Sequence, residues 1–340
     1  MPNTKIAVYG ASGHVGRFAL EELHRRGLAP ILVGRDAARL HAAAERAGVA
    51  GAEVRVADAH DHDALVAAFT GVDAVVSSLP DYTGNGEGVV RAAIAAGAHY
   101  VDVTGEQLFV RKIYDEYGPA AAEAGVTLVT AVTEAGVFAD LLAGIAAERL
   151  GGADEVVLSH VASGAGSRGS MRTVFNNLAT FLSGGLSYSD GGFHSGQMAR
   201  RATFELPGGE TVAVSKFPQP GVVSIPRHTE VGAVEGVLAT AILDVVKDVS
   251  EADLAAAPET PDAPAAYQMV VDVYRDGRRL RGVGSGPDTY LNSGQMSVDV
   301  AVRLASGAGK PGARSTAELF DPAAFLAGLE KYGMTWSLTG

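Results

Sequence analysis

Six short runs of β-branched and apolar residues punctuate the first 136 residues of this 340-residue chain: "KIAVY", "PILVG", "AEVRVAD", "DAVVSSL", "HYVDVT" and "VTLVTAV". Between them lie Ala-rich stretches with the period of a helix, such as 14–27 and 36–47. A run this short and this apolar has no polar face to show to water, so both its faces must be covered. A helical connection of about ten to fifteen residues brings the chain back to lay the next strand parallel to the last. Six strands joined in this way predict an α/β fold, a doubly wound Rossmann sheet over residues 1–136. Its ligand loops should lie at the carboxyl ends of the strands.

Past residue 137 the rhythm changes. "EVVLSHVAS" alternates like a half-buried strand, and "RATFELPGGETVAVSKF" reads as two strands around a turn. "YQMVVDVYRDGRRLRGVG" is a hairpin turning at Asp276-Gly277. "MRTVFNNLATFLSGG" predicts one helix stopped by Gly184, and "AAAPETPDAPAA" (255–266) a Pro-rich surface connection. Together these predict a second, α+β domain over 137–311, built on a mixed or antiparallel sheet for substrate binding or dimerisation. The last segment holds a helix with Asp321 as N-cap, Pro322 at its first position and Gly333 as stop. Residues 312–340 are expected to pack back on the first domain.

Composition removes several classes of function. The formal net charge is −12 with no basic stripe, which argues against nucleic acid as the main partner. There is no cysteine, hence no disulfide, no thiolate chemistry and no sulfur-ligated metal. No uninterrupted apolar stretch approaches about eighteen residues, and "MPNTKIAVYG" lacks the pattern of a secretion signal. A cytoplasmic protein with no membrane partner is expected. Neither an H-E-x-x-H motif nor a Tyr-x-x-x-Lys pair is present, and no metal is expected.

"GASGHVG" sets Gly10, Gly13 and Gly16 just after the first run and at the mouth of the first helix. In such a turn the first glycine makes the bend, the second lets a pyrophosphate approach the backbone, and the third packs helix against strand. Ser12, His14 and Val15 share the turn, and the helix N-terminus offers free N–H groups to the phosphates. The alternative is a glycine turn without a ligand; its place at the head of a six-strand parallel pattern argues for a dinucleotide. The end of the second run tells which one. An NAD site would carry Asp or Glu there, whereas this chain carries Gly34 and Arg35. A guanidinium offers a planar fork to a 2′-phosphate that a carboxylate would repel, so NADP(H) is predicted. The plainer reading is an arginine merely exposed in a loop. Asp36 is expected to turn its carboxylate away as a helix N-cap. Asp58 is placed near the adenine, and Ser78, Leu79 and Pro80 along the nicotinamide ribose.

Several segments together resemble the saccharopine dehydrogenase (saccharopine reductase) family, which includes bacterial trans-acting enoyl reductases. They are "GASGHVGR", "LVGRDAARL", "SSLPDYTGNGEGVVRAAIAAGAHYVDVTGE", "AGVFADLLAG" and "SGAGSRGSMRTVFNNL". The resemblance covers about the first 185 residues, and "VVSIPRHTEV" (222–231) is similar to a later family element. It implies a Rossmann domain with a second mixed domain, commonly as a homodimer. It also implies NADPH-dependent reduction of a small molecule at a C=N bond or, in some branches, a C=C bond.

Hydride transfer needs an acceptor held close to the nicotinamide, a proton source, and a group that polarises the acceptor. Tyr82 would lie beside the nicotinamide, as proton donor or as wall. Glu106 would anchor a substrate amine, accept from the carboxamide, or cap a helix. Glu134 would face substrate or cap its own helix. From the second domain, Arg168 and Arg172 with their helix N-terminus would make an anion site, Ser170 being an N-cap in the plainer reading. His194, in a glycine-rich loop, would give a proton if that loop closed. His160 reads as a core residue or a ligand, and Arg227 with His228 as solvated surface or a further cationic cluster. Tyr82, Glu106, Arg172 and His194 are the catalytic candidates. The expected function is NADPH-dependent reduction of a small-molecule imine, with a carboxylate such as Glu106 stabilising the iminium. The alternatives are an enoyl reductase and a non-catalytic NADP-sensing regulator.

Overall fold

Each of the six apolar runs is a strand in the computed structural model, which describes residues 4–164, 166–196 and 199–340. They are β1 (Ile6–Tyr9), β2 (Pro30–Gly34), β3 (Glu53–Val56), β4 (Ala74–Ser77), β5 (His99–Asp102) and β6 (Thr127–Val129). All pair in parallel, in the order β3-β2-β1-β4-β5-β6, with a two-residue strand Gly312–Ala313 beside β6. The chain starts in the middle, works outward to β3, and returns to lay β4 on the other side of β1. The loops after β1 and β4 therefore diverge, which is where such sheets open a crevice for a ligand. The helix α1 (His14–Arg25) follows β1 and buries Phe18, Ala19, Leu20 and Leu23.

This unit comprises residues up to 104, 109–133 and 290–315. The return of the chain to it is a correction to the expected 312–340. The helix Thr289–Arg303 brings Gly294 so close to α1 that a Cβ there would stand 2.7 Å from Phe18 Cβ. Arg26 Nη2 donates to the buried Asp299 Oδ1 at 2.7 Å. Missing side-chain bulk and one part-buried ion pair thus recruit 290–315. Residues 316–340 fold with the other unit, where Thr335–Thr339 adds a strand to its sheet.

The second unit, residues 105–108, 134–289 and 316–340, contains β7 (Ala153–Ala162), β8 (Leu186–Ser189), β9 (Gly192–Ser195), β10 (Thr203–Glu205) and β11 (Thr211–Lys216). It continues with β12 (Val231–Ala239), β13 (Tyr267–Arg275) and β14 (Arg278–Gly286). The sheet runs β10-β11-β12-β7-β13-β14 and ends on Thr335–Thr339, while the β8–β9 hairpin hangs from β12. Only β12 and β7 run parallel among the described pairs, so the sheet is mixed. Val157, Phe204, Val214, Val237 and Val270 form a core cluster on it. The helix Glu134–Leu150 is buried along most of its length, as a helix with almost no polar face must be.

Asp276 and Gly277 carry φ of 50° and 73°, the left-handed pair a two-residue hairpin turn requires. The single helix expected around 171–184 is two, Arg168–Asn176 and Leu178–Ser183, broken at Asn177 and ended by left-handed Gly184. No helix among the described residues is long and apolar enough to cross a membrane.

Candidate functional site

Gly10 has φ +79°, and a Cβ on it would stand 2.5 Å from Ser78 O. The bend after β1 is therefore pressed against the exit of β4. Gly13 N donates to Gly10 O at 2.9 Å and closes the turn, and α1 begins with Gly13 as an exposed N-cap. A Cβ on Gly16 would fall inside contact distance of Gly10 O and 2.9 Å from Ala11 Cα, so only glycine lets α1 approach this turn. Gly13 differs from both. A Cβ there would meet only Gly10 O, at 3.2 Å, so its bareness serves little packing within the protein. What it leaves open is the outer face of the turn, where phosphates would meet backbone N–H groups. Ser12 and Val15 are half-buried in the same turn, and the His14 ring packs edge-on against Phe18 and Tyr290, at 5.1 and 4.7 Å between centroids.

Arg35 stands exposed directly after Gly34 at the end of β2. Asp36 caps the helix Ala37–Arg46, its Oδ1 accepting from Arg39 N at 3.1 Å, so its carboxylate is occupied as the sequence implies. The Tyr9 hydroxyl is pushed up to about 12 by burial and by Asp58, with Arg35 pulling the other way. Both charges thus lie near one end of β1. Asp58 is exposed, and its Oδ1 accepts from His60 N at 3.0 Å. Ser78, Leu79 and Pro80 are half-buried at the exit of β4, with Ser78 Oγ 3.3 Å from both Tyr9 O and Gly10 O. These residues fit NADP(H): a bare anion-facing turn and a free guanidinium beside the end of β2, with no carboxylate in its place.

Tyr82 requires a correction. It is 2% exposed, and its hydroxyl donates to Ser77 O at 2.7 Å while accepting from Leu79 N at 3.2 Å and Val103 N at 3.3 Å. Burial holds the phenol far above its ordinary range. It shapes the exits of β4 and β5 rather than offering a proton in the open.

The second unit holds a separate polar cluster. Glu134 opens the helix Glu134–Leu150 and is buried, with His160 Nε2 3.3 Å from its Oε1. Burial alone would neutralise the carboxyl. The hydrogen bond and charge of His160 and the Thr289 hydroxyl outweigh it and hold Glu134 below the usual carboxylate range. Tyr267 shares this environment, its hydroxyl pushed up by burial and by the charge of Glu134. The sequence presents Glu134 and His160 as separate candidates; a gap of 26 positions hides that they are a pair.

Glu106 is 3% exposed, next to Gln107. The Gln107 carboxamide donates to Leu186 O and Gln219 O, both at 3.1 Å, and accepts from Leu186 N at 2.7 Å. Three backbone bonds thus fix the segment that carries Glu106. Nothing in the sequence marks Gln107 for this work.

Arg168 and Arg172 do not make the expected anion site. Arg168 Nε is bound to Ala257 O at 2.9 Å, Arg172 is exposed one turn along the helix, and the N-cap is Ser167 rather than Ser170. Ala165, just before this helix, and Gln197, in the glycine-rich stretch that carries His194, lie outside the described residues. His194 is likewise corrected: it sits on β9 in a hairpin, its Nε2 2.9 Å from Ser189 O, and not in a free glycine loop. Arg227 forks onto Glu318 at 3.1 and 3.2 Å, and His228 Nε2 meets Asp140 Oδ1 at 2.7 Å, so this cluster is internally paired.

Residues 6–129 match the family of the saccharopine dehydrogenase NADP binding domain. Over 151 residues the chain is 32% identical to a lipid droplet localized protein of Caenorhabditis elegans, covering 42% of this chain and 35% of that one. Over 130 residues it is 34% identical to a trans-acting enoyl reductase of Mycobacterium tuberculosis, covering 37% and 31%. The chain therefore spans about a third of the length of these curated relatives. An apo saccharopine dehydrogenase (L-Glu forming) from Saccharomyces cerevisiae superposes with a TM-score of 0.68 at 15% identity. The match covers 99% of this chain and 100% of that one, which shows a shared fold. The glycine turn, Arg35 and the exit of β4 all fall inside the matched segment. Residues 6–129 are an NADP(H)-binding domain of the saccharopine dehydrogenase type.

Proposed function

We propose that the protein is an NADPH-dependent reductase acting on the C=N bond of a small imine. The observation that carries this reading is the buried, ionised Glu134 paired with His160. A fixed anion favours a substrate that becomes cationic, and a protonated imine is such a substrate. When bound, NADPH supplies the hydride to the imine carbon. His160, its Nε2 3.3 Å from Glu134 Oε1, gives the nitrogen its proton, and the Glu134 carboxylate then stabilises the iminium. Glu106 adds a second buried carboxylate on a segment held rigidly by Gln107. The reaction balances as imine, one proton and one hydride giving the amine.

The second reading is reduction of an enoyl C=C bond, favoured by the trans-acting enoyl reductases to which the first domain is similar. There negative charge develops on the acceptor, and Glu134 would oppose it. The two separate by following NADPH absorbance with a panel of cyclic imines and a panel of enoyl thioesters. We expect turnover of an imine, with kcat/KM lowered about 10- to 100-fold by Glu134→Gln, the worth of one charge-assisted hydrogen bond. Turnover confined to thioesters and indifferent to Glu134→Gln overturns the imine reading. Tight NADPH binding with neither panel turned over would favour the regulator instead.

A further inference from the structure

Asp102 ends β5 and is fully buried, yet it is no passive core residue. Its Oδ1 accepts three hydrogen bonds: from Thr104 N at 3.0 Å, Thr130 Oγ1 at 3.0 Å and Ala131 N at 2.9 Å. Its backbone oxygen accepts a fourth, from Val132 N at 2.8 Å. One residue thus ties together the chain leaving β5 and the chain leaving β6. The second of these contains Ala131 at φ +58°, a left-handed conformation that an alanine adopts only when its surroundings compel it. The bond from Ala131 N to Asp102 is that compulsion. Tyr82 performs the matching service for the exits of β4 and β5 through its bonds to Ser77, Leu79 and Val103.

This arrangement is costly. Burial pushes the Asp102 carboxyl up to about 6 despite the donors around it. The Tyr100 hydroxyl interacts with both the Asp102 carboxyl and the Ser77 hydroxyl, so three fully buried polar side chains are packed together here. Tyr82 and Tyr100, the ionisable groups packed around Asp102, are both held far above their ordinary range by burial. A core built for stability alone would be apolar here, with glycine at the strained position. Local rules broken together, at the carboxyl ends of parallel strands, mark a place where the backbone is held for a purpose.

We infer that Asp102 is a positioning residue for the reductase reaction: through Thr104, Thr130 and Ala131 it fixes the exits of β5 and β6 in the conformation that turnover requires. This rests on the reductase reading. The test compares the wild type with Asp102→Ala, Asp102→Asn and the double variant Asp102→Ala/Ala131→Gly. It uses NADPH titration, hydrogen exchange, and kcat and KM on an imine the wild type accepts. In Asp102→Ala, NADPH affinity should stay within about threefold, since the 10–16 turn is untouched. Exchange at 103–104 and 130–133 should quicken at least about tenfold, the loss of one hydrogen bond's protection. The kcat should fall by at least about tenfold, with a smaller change in KM. Asp102→Asn keeps a carbonyl acceptor in place and should recover slow exchange and most of kcat. Ala131→Gly in the Asp102→Ala background should recover part of kcat, because glycine holds the left-handed turn unaided.

Two results would overturn the inference. One is faster exchange in Asp102→Ala with kcat unchanged. The other is a loss of kcat, measured below the melting temperature, that neither Asp102→Asn nor Ala131→Gly restores, for that is a structural lesion only. A wild type that binds NADPH but reduces nothing defeats the reductase reading itself, and is told apart because the exchange differences persist.

Discussion

Gly13→Ala and Gly16→Ala differ by three positions in one turn and should fail in opposite ways. At Gly16 the new Cβ meets the backbone of Gly10 and Ala11, which cannot swing aside as a flexible side chain would. Overpacking of this kind costs about 1–3 kcal/mol. With about 2–4 °C lost per kcal/mol in a domain of this size, the melting temperature should drop by several degrees. At Gly13 the backbone is already in a region any residue accepts, with φ −83°, and the Cβ meets one carbonyl oxygen at 3.2 Å. The entropy removed from the unfolded chain, about 0.4–1 kcal/mol, offsets that contact, so the melting temperature should barely move. Cofactor binding is another matter. A methyl on the outer face of the turn keeps the pyrophosphate off the N–H groups. Each charge-assisted bond lost is worth about 1.5–3 kcal/mol, which raises Kd for NADPH roughly 10- to 100-fold. Thermal denaturation of the free protein and fluorescence titration with NADPH read the two effects separately. If Gly13→Ala melts as low as Gly16→Ala, or binds NADPH as tightly as the wild type, the division of labour among these glycines is wrong.

Arg35→Ala should weaken NADPH by about 10- to 100-fold while leaving NADH almost unchanged, since only the 2′-phosphate meets the guanidinium; equal losses for both would place Arg35 elsewhere. Asp140 predicts an acid limb in stability. Although burial opposes its charge, His228 and the Ala317 N–H, 2.7 Å from its Oδ2, hold the carboxyl at about 2, below the ordinary 3.8. Its contribution of about 2 kcal/mol is present above pH ~4 and lost as pH falls through 2. The partner shift on His228 is upward, burial being outweighed by Asp140, so its share is full below pH ~6.5 and fades as pH rises through its raised value. The two are one interaction seen from both ends and are not added. Denaturant melts of Asp140→Asn against pH should be flatter than the wild type at both ends; a parallel curve would show that the pair contributes no pH dependence.

Much of the fold is legible in the chain because it rests on local rules. A fully buried parallel strand must be a short apolar run, and a two-residue hairpin turn wants residues like Asp276 and Gly277. Asp36 and Asp321 cap helices because their carboxylates reach the N–H groups three positions on. The glycine turn is legible for the same reason: its spacing encodes contacts within seven residues. The catalytic candidates fared differently. Tyr82 follows β4 as expected, but it opens a helix and its hydroxyl turns inward to three backbone groups, and the direction of a side chain is not carried by periodicity. His194 sits on a hairpin strand with its ring against Ser189 O, and Arg172 sits exposed within a helix rather than in a loop at its mouth.

What the sequence by itself determined is the doubly wound sheet, the glycine turn at its head and the NADP(H) cofactor, since these follow from period, glycine conformation and the charge at one strand end. Only the tertiary structure decided that Glu134 meets His160, that Asp102 grips Ala131, and that residues 290–315 return to the first sheet. Each of these joins positions far apart in the chain. Such contacts depend on which strands become neighbours and how closely helices can approach them, and no short window of sequence contains that information.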